Sequence, residues 1–365
     1  MLKFGFSQVP GNDWAKKYLS SVALGKDVPQ SIIITGESGV GKLPLAEQFA
    51  LALLCENPTS EGACGKCNSC LTYGQGQNRD IAYWYPKGQN TTIDQMRRLK
   101  EISVYTPTKG KYKINIIQKG DTLNEEASNS ILKIIEEPPA YLINILIYTN
   151  PHNILQTIRS RSIAVNMQPV SLELIKNYLS DNYGITGAEC ESVAGFSMGA
   201  LGKAVLLAEN EKRDVFRQMC FECVQAVVSK PMDLLYLADR LADRDYYFSE
   251  KGKESADDIK NSPKDFFPNP VVCQTTQSEA VFIALDMISL IFRDLFAVKC
   301  GADSDIINKD KINSLKDMAD RLSQEKIQKA INTVWKTKDR LRANINTVTA
   351  LQAMLCRILM ELREK

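Results

Sequence analysis

Residues 36–43 read GESGVGKL and follow directly on the apolar run SIIIT. Gly36, Gly41 and Lys42 satisfy the phosphate-loop signature G-x-x-x-x-G-K-[ST], with Gly39 between them, but Leu43 stands where the hydroxyl belongs. In such a loop backbone N–H groups cradle phosphates, the lysine neutralises them and the Ser or Thr hydroxyl ligates Mg²⁺. The first two functions stay open here; Leu43 cannot supply the third. A second requirement is a carboxylate at the end of a later strand, and the strand KINII runs instead into Gln118 and Lys119. Asp121 lies beyond that position and reads as a helix cap or a surface residue. Losing both metal-side groups removes several kcal/mol of barrier lowering, so ATP binding is doubtful and hydrolysis is disfavoured.

Cys55, Cys64, Cys67 and Cys70 form a second constellation, C-x8-C-x2-C-x2-C, with Gly62 and Gly65 permitting tight turns between them. Four thiolates so close in sequence fit one tetrahedral Zn²⁺ with no open position for water, which makes the metal structural, holding a loop without its own core. Unrelated free thiols are the plainer alternative. Cys220 and Cys223 have helical i, i+3 spacing and no further partners, so they read as buried packing.

These residues must be placed by regular elements. WAKKYLSSVALG is a helical pattern closed by Gly25; SIIIT, the glycine loop and PLAEQFALALLC give strand, loop and helix, with Pro44 tolerated in the first turn. KINIIQ and NILIYT bracket the helical NEEASNSILKIIEEP, so an α/β domain with a largely parallel sheet is expected over residues 1–168, carrying the cysteine insertion at 55–70. Three short helical patterns follow over 169–212. Residues 213–365 read as amphipathic helices, interrupted near 250–276 by a polar, proline-broken loop.

The chain has 365 residues, enough for two or three domains. Lys+Arg of 45 against Asp+Glu of 43 argues against a dedicated, strongly basic nucleic-acid binder. No run approaches a membrane span and the N-terminal residues lack a secretory pattern, so no membrane role and a cytoplasmic location are expected.

Taken together, the loop position, the cysteine spacing, TTIDQMRRL at 91–99, NSILKIIEEPP at 129–139 and Ser160-Arg161-Ser162 resemble the bacterial DNA polymerase III clamp-loader ATPases over roughly residues 14–205. The resemblance implies an AAA+ α/β domain, a small helical lid and an all-α collar that joins subunits in a ring. It is nearest in kind to delta-prime, the subunit that generally lacks the catalytic groups of the gamma or tau motor. Gly202 in GALGKA agrees, standing where the motor carries a sensing arginine. The family's Ser-Arg-Cys motif places an arginine finger at a neighbour's ATP, which implies that role for Arg161, although Ser162 departs from the usual Cys and Arg159 is close by. Implied partners are gamma/tau-like motor and delta-like subunits, the sliding clamp, and primer-template DNA within the assembly.

Other residues are discounted. His152, the only histidine, is expected in a loop after NILIYT, and Glu136 and Glu137 are expected at a helix end or a subunit contact. Arg97 and Arg98 could meet DNA phosphates but fit a solvated basic face. The rival readings are an active gamma/tau-like ATPase with a divergent loop and a zinc-ribbon DNA-binding protein.

Overall fold

The computed structural model describes residues 4–86, 91–229, 233–243, 277–342 and 345–363, so the polar stretch expected near 250–276 lies outside the described residues. The described chain divides into two compact units. One holds the residues up to Leu174 with Gly199–Gly202; the other holds Ile175–Met198 and the described residues from Lys203 onward.

The first unit runs α1 (Asp13–Leu24), β1 (Ser31–Thr35), α2 (Lys42–Leu54), α3 (Asn68–Gly74), β2 (Ile81–Trp84), α4 (Ile93–Ser103), β3 (Lys113–Ile117), α5 (Glu125–Glu136), β4 (Leu142–Tyr148), α6 (Gln156–Arg159) and β5 (Ile163–Asn166). The five strands form one sheet in the order β2-β3-β4-β1-β5, with every pair parallel. Parallel strands need crossovers, and helices on both faces explain why β1, β3 and β4 are buried along their whole length. Successive side chains divide the core. Ile32 and Ile34 of β1 pack with Leu45 and Phe49 of α2 on one face, while Ile33 packs with Met96 of α4 and Ile131 and Ile135 of α5 on the other.

Local chemistry sets the helix starts. Thr92 caps α4 in a full capping box with Gln95, and the Asn124 side chain accepts from Ala127 N–H at the start of α5. The cap of α5 is therefore Asn124, and the reading of Asp121 as a helix cap gives way. Two strands went unread in the sequence, β2 and β5. Both have four residues, and β5 alternates poorly because three of its four residues are exposed at the sheet edge.

The second unit is helical, with α7 (Leu172–Tyr183) entering it, followed by α8 (Gly187–Ser197), α9 (Leu201–Glu209), α10 (Arg213–Val228), α11 (Leu234–Ala242), α12 (Gln277–Lys299), α13 (Ile312–Asp320), α14 (Gln324–Arg342) and α15 (Thr347–Arg363). α12 packs on α10, α13 and α14, and α15 packs on α11 and α14. Cys220 and Cys223 are fully buried in α10, and burial pushes both thiols up, as their reading as packing residues requires. Buried carboxylates fasten this unit: Asp294 of α12 accepts from the N–H groups of Ile307 and Asn308 in the segment before α13, and Asp286 of α12 pairs with Lys203 of α9 and Lys338 of α14. No helix among the described residues is long and apolar enough to cross a membrane.

Candidate functional site

In a parallel sheet all the strand C-termini lie at one end, and a ligand crevice opens where the strand order reverses. Here β1 sits between β4 and β5, so Gly36–Gly41 occupies that end beside the ends of β3, β4 and β5. Gly36 has φ 144° and approaches so closely that a Cβ would lie 2.6 Å from the Met167 carbonyl oxygen. Glycine is demanded there by backbone shape and packing alone.

Lys42 is 8 % exposed, and its Nζ donates to the carbonyls of Gly36 at 2.6 Å and Glu37 at 2.7 Å. Burial lowers its pKa to about 8, partly offset by the Asp121 and Glu37 carboxylates. Leu43 packs against the apolar core, so the position of the missing hydroxyl is taken up by packing. Gly202 N–H donates to Gly39 O at 2.7 Å, and a Cβ on Gly202 would stand 3.1 Å from Gly39 Cα. A longer side chain at 202 would have to displace that backbone contact.

Gln118 and Lys119 follow β3 as expected. Asp121 is half-buried, and its two oxygens accept the N–H groups of Thr149 at 2.6 Å and Asn150 at 2.9 Å, with Asn153 Nδ2 at 3.3 Å. It fixes the turn after β4, a role that residue spacing alone could not show because the partners lie 28 or more positions away. Gly120 permits this by packing flat on the Tyr148 ring, whose carbons would lie 2.6–2.8 Å from an added Cβ. His152 is exposed in the turn Pro151–Asn153.

The cysteine module is brought together as the spacing predicts. The four Sγ atoms of Cys55, Cys64, Cys67 and Cys70 lie within 4.8 Å of one another, with Cys67 Sγ 3.9 Å from Cys55 and 3.4 Å from Cys70. A Zn–S bond near 2.3 Å places tetrahedral sulfurs roughly 3.8 Å apart, so the set fits a structural zinc or a similar thiophilic ion. Backbone N–H groups of Cys64, Lys66 and Cys67 point at sulfurs of Cys55 and Cys64 at 3.2–3.4 Å. The Lys66 N–H is the main reason that the Cys64 thiol is lowered to about 7; burial raises Cys55 and Cys70. These four residues would hold the metal, and its bond energy would close the loop between α2 and α3. The module is also tied to the sheet. Tyr73 of α3 meets Tyr83 of β2 at 3.1 Å, and Tyr83 donates to Glu47 of α2 at 3.0 Å.

At the other end of the sheet, just before β5, Arg161 is 42 % exposed. Its Nη2 pairs with Glu136 Oε1 at 3.2 Å, and its Nη1 donates to Thr157 O and Ser160 Oγ. Arg159 is exposed and has no ion-pair partner among the described residues. Arg97 and Arg98 of α4 line an open cavity of about 580 Å³ with Asp94, Glu101, Ile102 and Tyr105, and Arg97 pairs with Asp94 at 3.2 Å.

Residues 11–171 match the family described as DNA polymerase III, delta subunit, and residues 270–359 match DNA polymerase III, delta subunit, C terminal. The chain belongs to the DNA polymerase III clamp-loader family. It is 26 % identical over 314 residues to subunit delta-prime of Bacillus subtilis, covering 86 % of each chain. Subunit tau of the same organism is 30 % identical over 170 residues, 47 % of this chain and 30 % of tau. A solved DNA polymerase III gamma subunit-related protein from Thermotoga maritima aligns with a TM-score of 0.49 at 18 % identity, covering 96 % of this chain and all of that one. The α/β unit lies within the region that the delta-subunit family covers, bears the four-cysteine insertion and is followed by a helical C-terminal region, and both delta-prime and tau are among the subunits the chain resembles.

Proposed function

We propose that this clamp-loader protein is a delta-prime-like stator without hydrolysis of its own. It supports ATP-dependent loading of the sliding clamp onto primed DNA and lends Arg161 to the ATP of a neighbouring motor subunit. Residues 169–212 would act as the lid and 213–365 as the collar, in contact with gamma/tau-like and delta-like subunits.

The observation that carries the reading is the placement of Arg161 relative to the glycine loop. β5 runs parallel to β1, with Ile163 opposite Ile32 and Asn166 opposite Thr35. Arg161 precedes β5 and the loop follows β1, so the two are separated by at least a four-residue strand, roughly 13 Å. The guanidinium cannot serve its own loop. An arginine at that end suits a phosphate carried by another subunit, where it supplies positive charge in trans. The engaged Asp121, the inward Lys42 and the apolar Leu43 support the absence of turnover.

The purified protein is expected to show no Mg²⁺-dependent ATP turnover; robust turnover abolished by Lys42→Ala would sink the reading. That outcome would favour the second reading, a gamma/tau-like motor ATPase, which the similarity to tau supports. For the cysteine module, elemental analysis is expected to find about one zinc per chain.

A further inference from the structure

Glu136 is the last residue of α5 and Glu137 is its C-cap. Two carboxylates at the negative end of a helix dipole run against the preference for cations there, which is worth a fraction of a kcal/mol to about 1 kcal/mol per charge. A local choice that opposes helix stability calls for another reason. For Glu136 the reason on the molecule is Arg161, whose Nη2 lies 3.2 Å from Glu136 Oε1.

We propose that Glu136 is a positioning residue for Arg161, holding the guanidinium in place for a neighbouring subunit's phosphate. The inference rests on the in-trans role of Arg161 given above. A free arginine loses most of its rotamer freedom when it docks, and a side chain already held loses less. Three contacts fix this one: Glu136 on Nη2, and Thr157 O and Ser160 Oγ on Nη1. The two hydrogen bonds use two of the five N–H donors of the guanidinium, both on Nη1, while Glu136 pairs with its charge beside Nη2, leaving the other donors for a phosphate. The pair is also releasable. Both side chains keep about two-fifths of their surface exposed, 42 % and 41 %, and ion pairs this wet are weak. Arg159, two residues earlier and also exposed, has no such partner among the described residues, so Glu136 also selects which arginine is presented.

The test uses the assembled loader and reads kcat/KM for ATP. Glu136→Ala is expected to lower it about 3- to 10-fold, the scale of one immobilised long side chain. Glu136→Gln, which keeps the acceptor oxygen and the shape, loses less. In an Arg161→Ala background Glu136→Ala is expected to add nothing, because the two act as one unit. Arg161→Ala with full turnover would overturn the in-trans reading and this inference with it. Arg161→Ala impaired with Glu136→Ala at wild-type level would overturn this inference alone. So would a Glu136→Ala loss that persists undiminished in the Arg161→Ala background. Should Glu136→Ala fail to assemble, Glu136→Gln carries the same cycle, and its loss must vanish in the Arg161→Ala background.

Discussion

The two ends of the parallel sheet treat their cations in opposite ways. At the carboxyl end Lys42 is 8 % exposed and spent on two backbone carbonyls, and the nearby Asp121 is spent on two backbone N–H groups. At the amino end Arg161 keeps 42 % of its side chain in solvent and is held by contacts of 3.2–3.3 Å. One end satisfies its charges internally; the other offers a charge outward. The contrast also explains why a phosphate-loop signature can persist without the groups that position Mg²⁺. Gly36 is required by its φ of 144° and by the Met167 carbonyl, whatever occupies the loop.

The sharpest way to break the comparison is to remove the cation at each end in turn and follow ATP turnover of the assembled loader. Arg161→Ala is expected to slow the neighbouring site by about 1,000-fold or more, the scale of an arginine finger, with assembly intact. Lys42→Ala is expected to leave turnover unchanged. Equal losses from the two substitutions would show that both ends act on nucleotide and would end the contrast.

A smaller effect tests how firmly the carboxyl end is closed. Gly120 lies on the buried Tyr148 ring, and a Cβ would stand 2.6 Å from two of its carbons. The ring ends β4 and is 1 % exposed, so it cannot swing into solvent. Gly120→Ala is therefore expected to cost about 1–3 kcal/mol in urea unfolding, as overpacking generally does. A neutral result would mean that the turn carrying Asp121 is looser than its hydrogen bonds imply.

Much of this arrangement was legible in the sequence because its signals are local. SIIIT, the glycine loop and the following helix are contiguous, and the cysteine spacing brought four thiols together as read. The sheet's outer strands β2 and β5 were not legible, since four residues give too little periodicity to distinguish a strand from a loop. Contacts between distant segments were hidden for a different reason. Glu136 could be placed at a helix end, but its partner is 25 residues later and reaches it only because α5 and α6 pack together. Likewise Asp121 looked unremarkable until β3 and β4 came side by side and brought Thr149 and Asn150 within reach.

The smallest effect separates the finger's environment from its function. Ser162 follows Arg161 where the family pattern has Cys, and its Oγ is buried without a hydrogen-bond partner among the described residues. An unpaired buried hydroxyl costs on the order of 1 kcal/mol, and removing it recovers part of that cost. Ser162→Ala is expected to raise stability by up to about 1 kcal/mol in urea unfolding. The contacts that hold the Arg161 guanidinium come from Glu136, Thr157 and Ser160, so loader turnover is expected to stay at the wild-type level. A Ser162→Ala loss as large as that of Arg161→Ala would show that the hydroxyl takes part in presenting the guanidinium, and the amino end of the sheet would then need more than Glu136 to hold its cation.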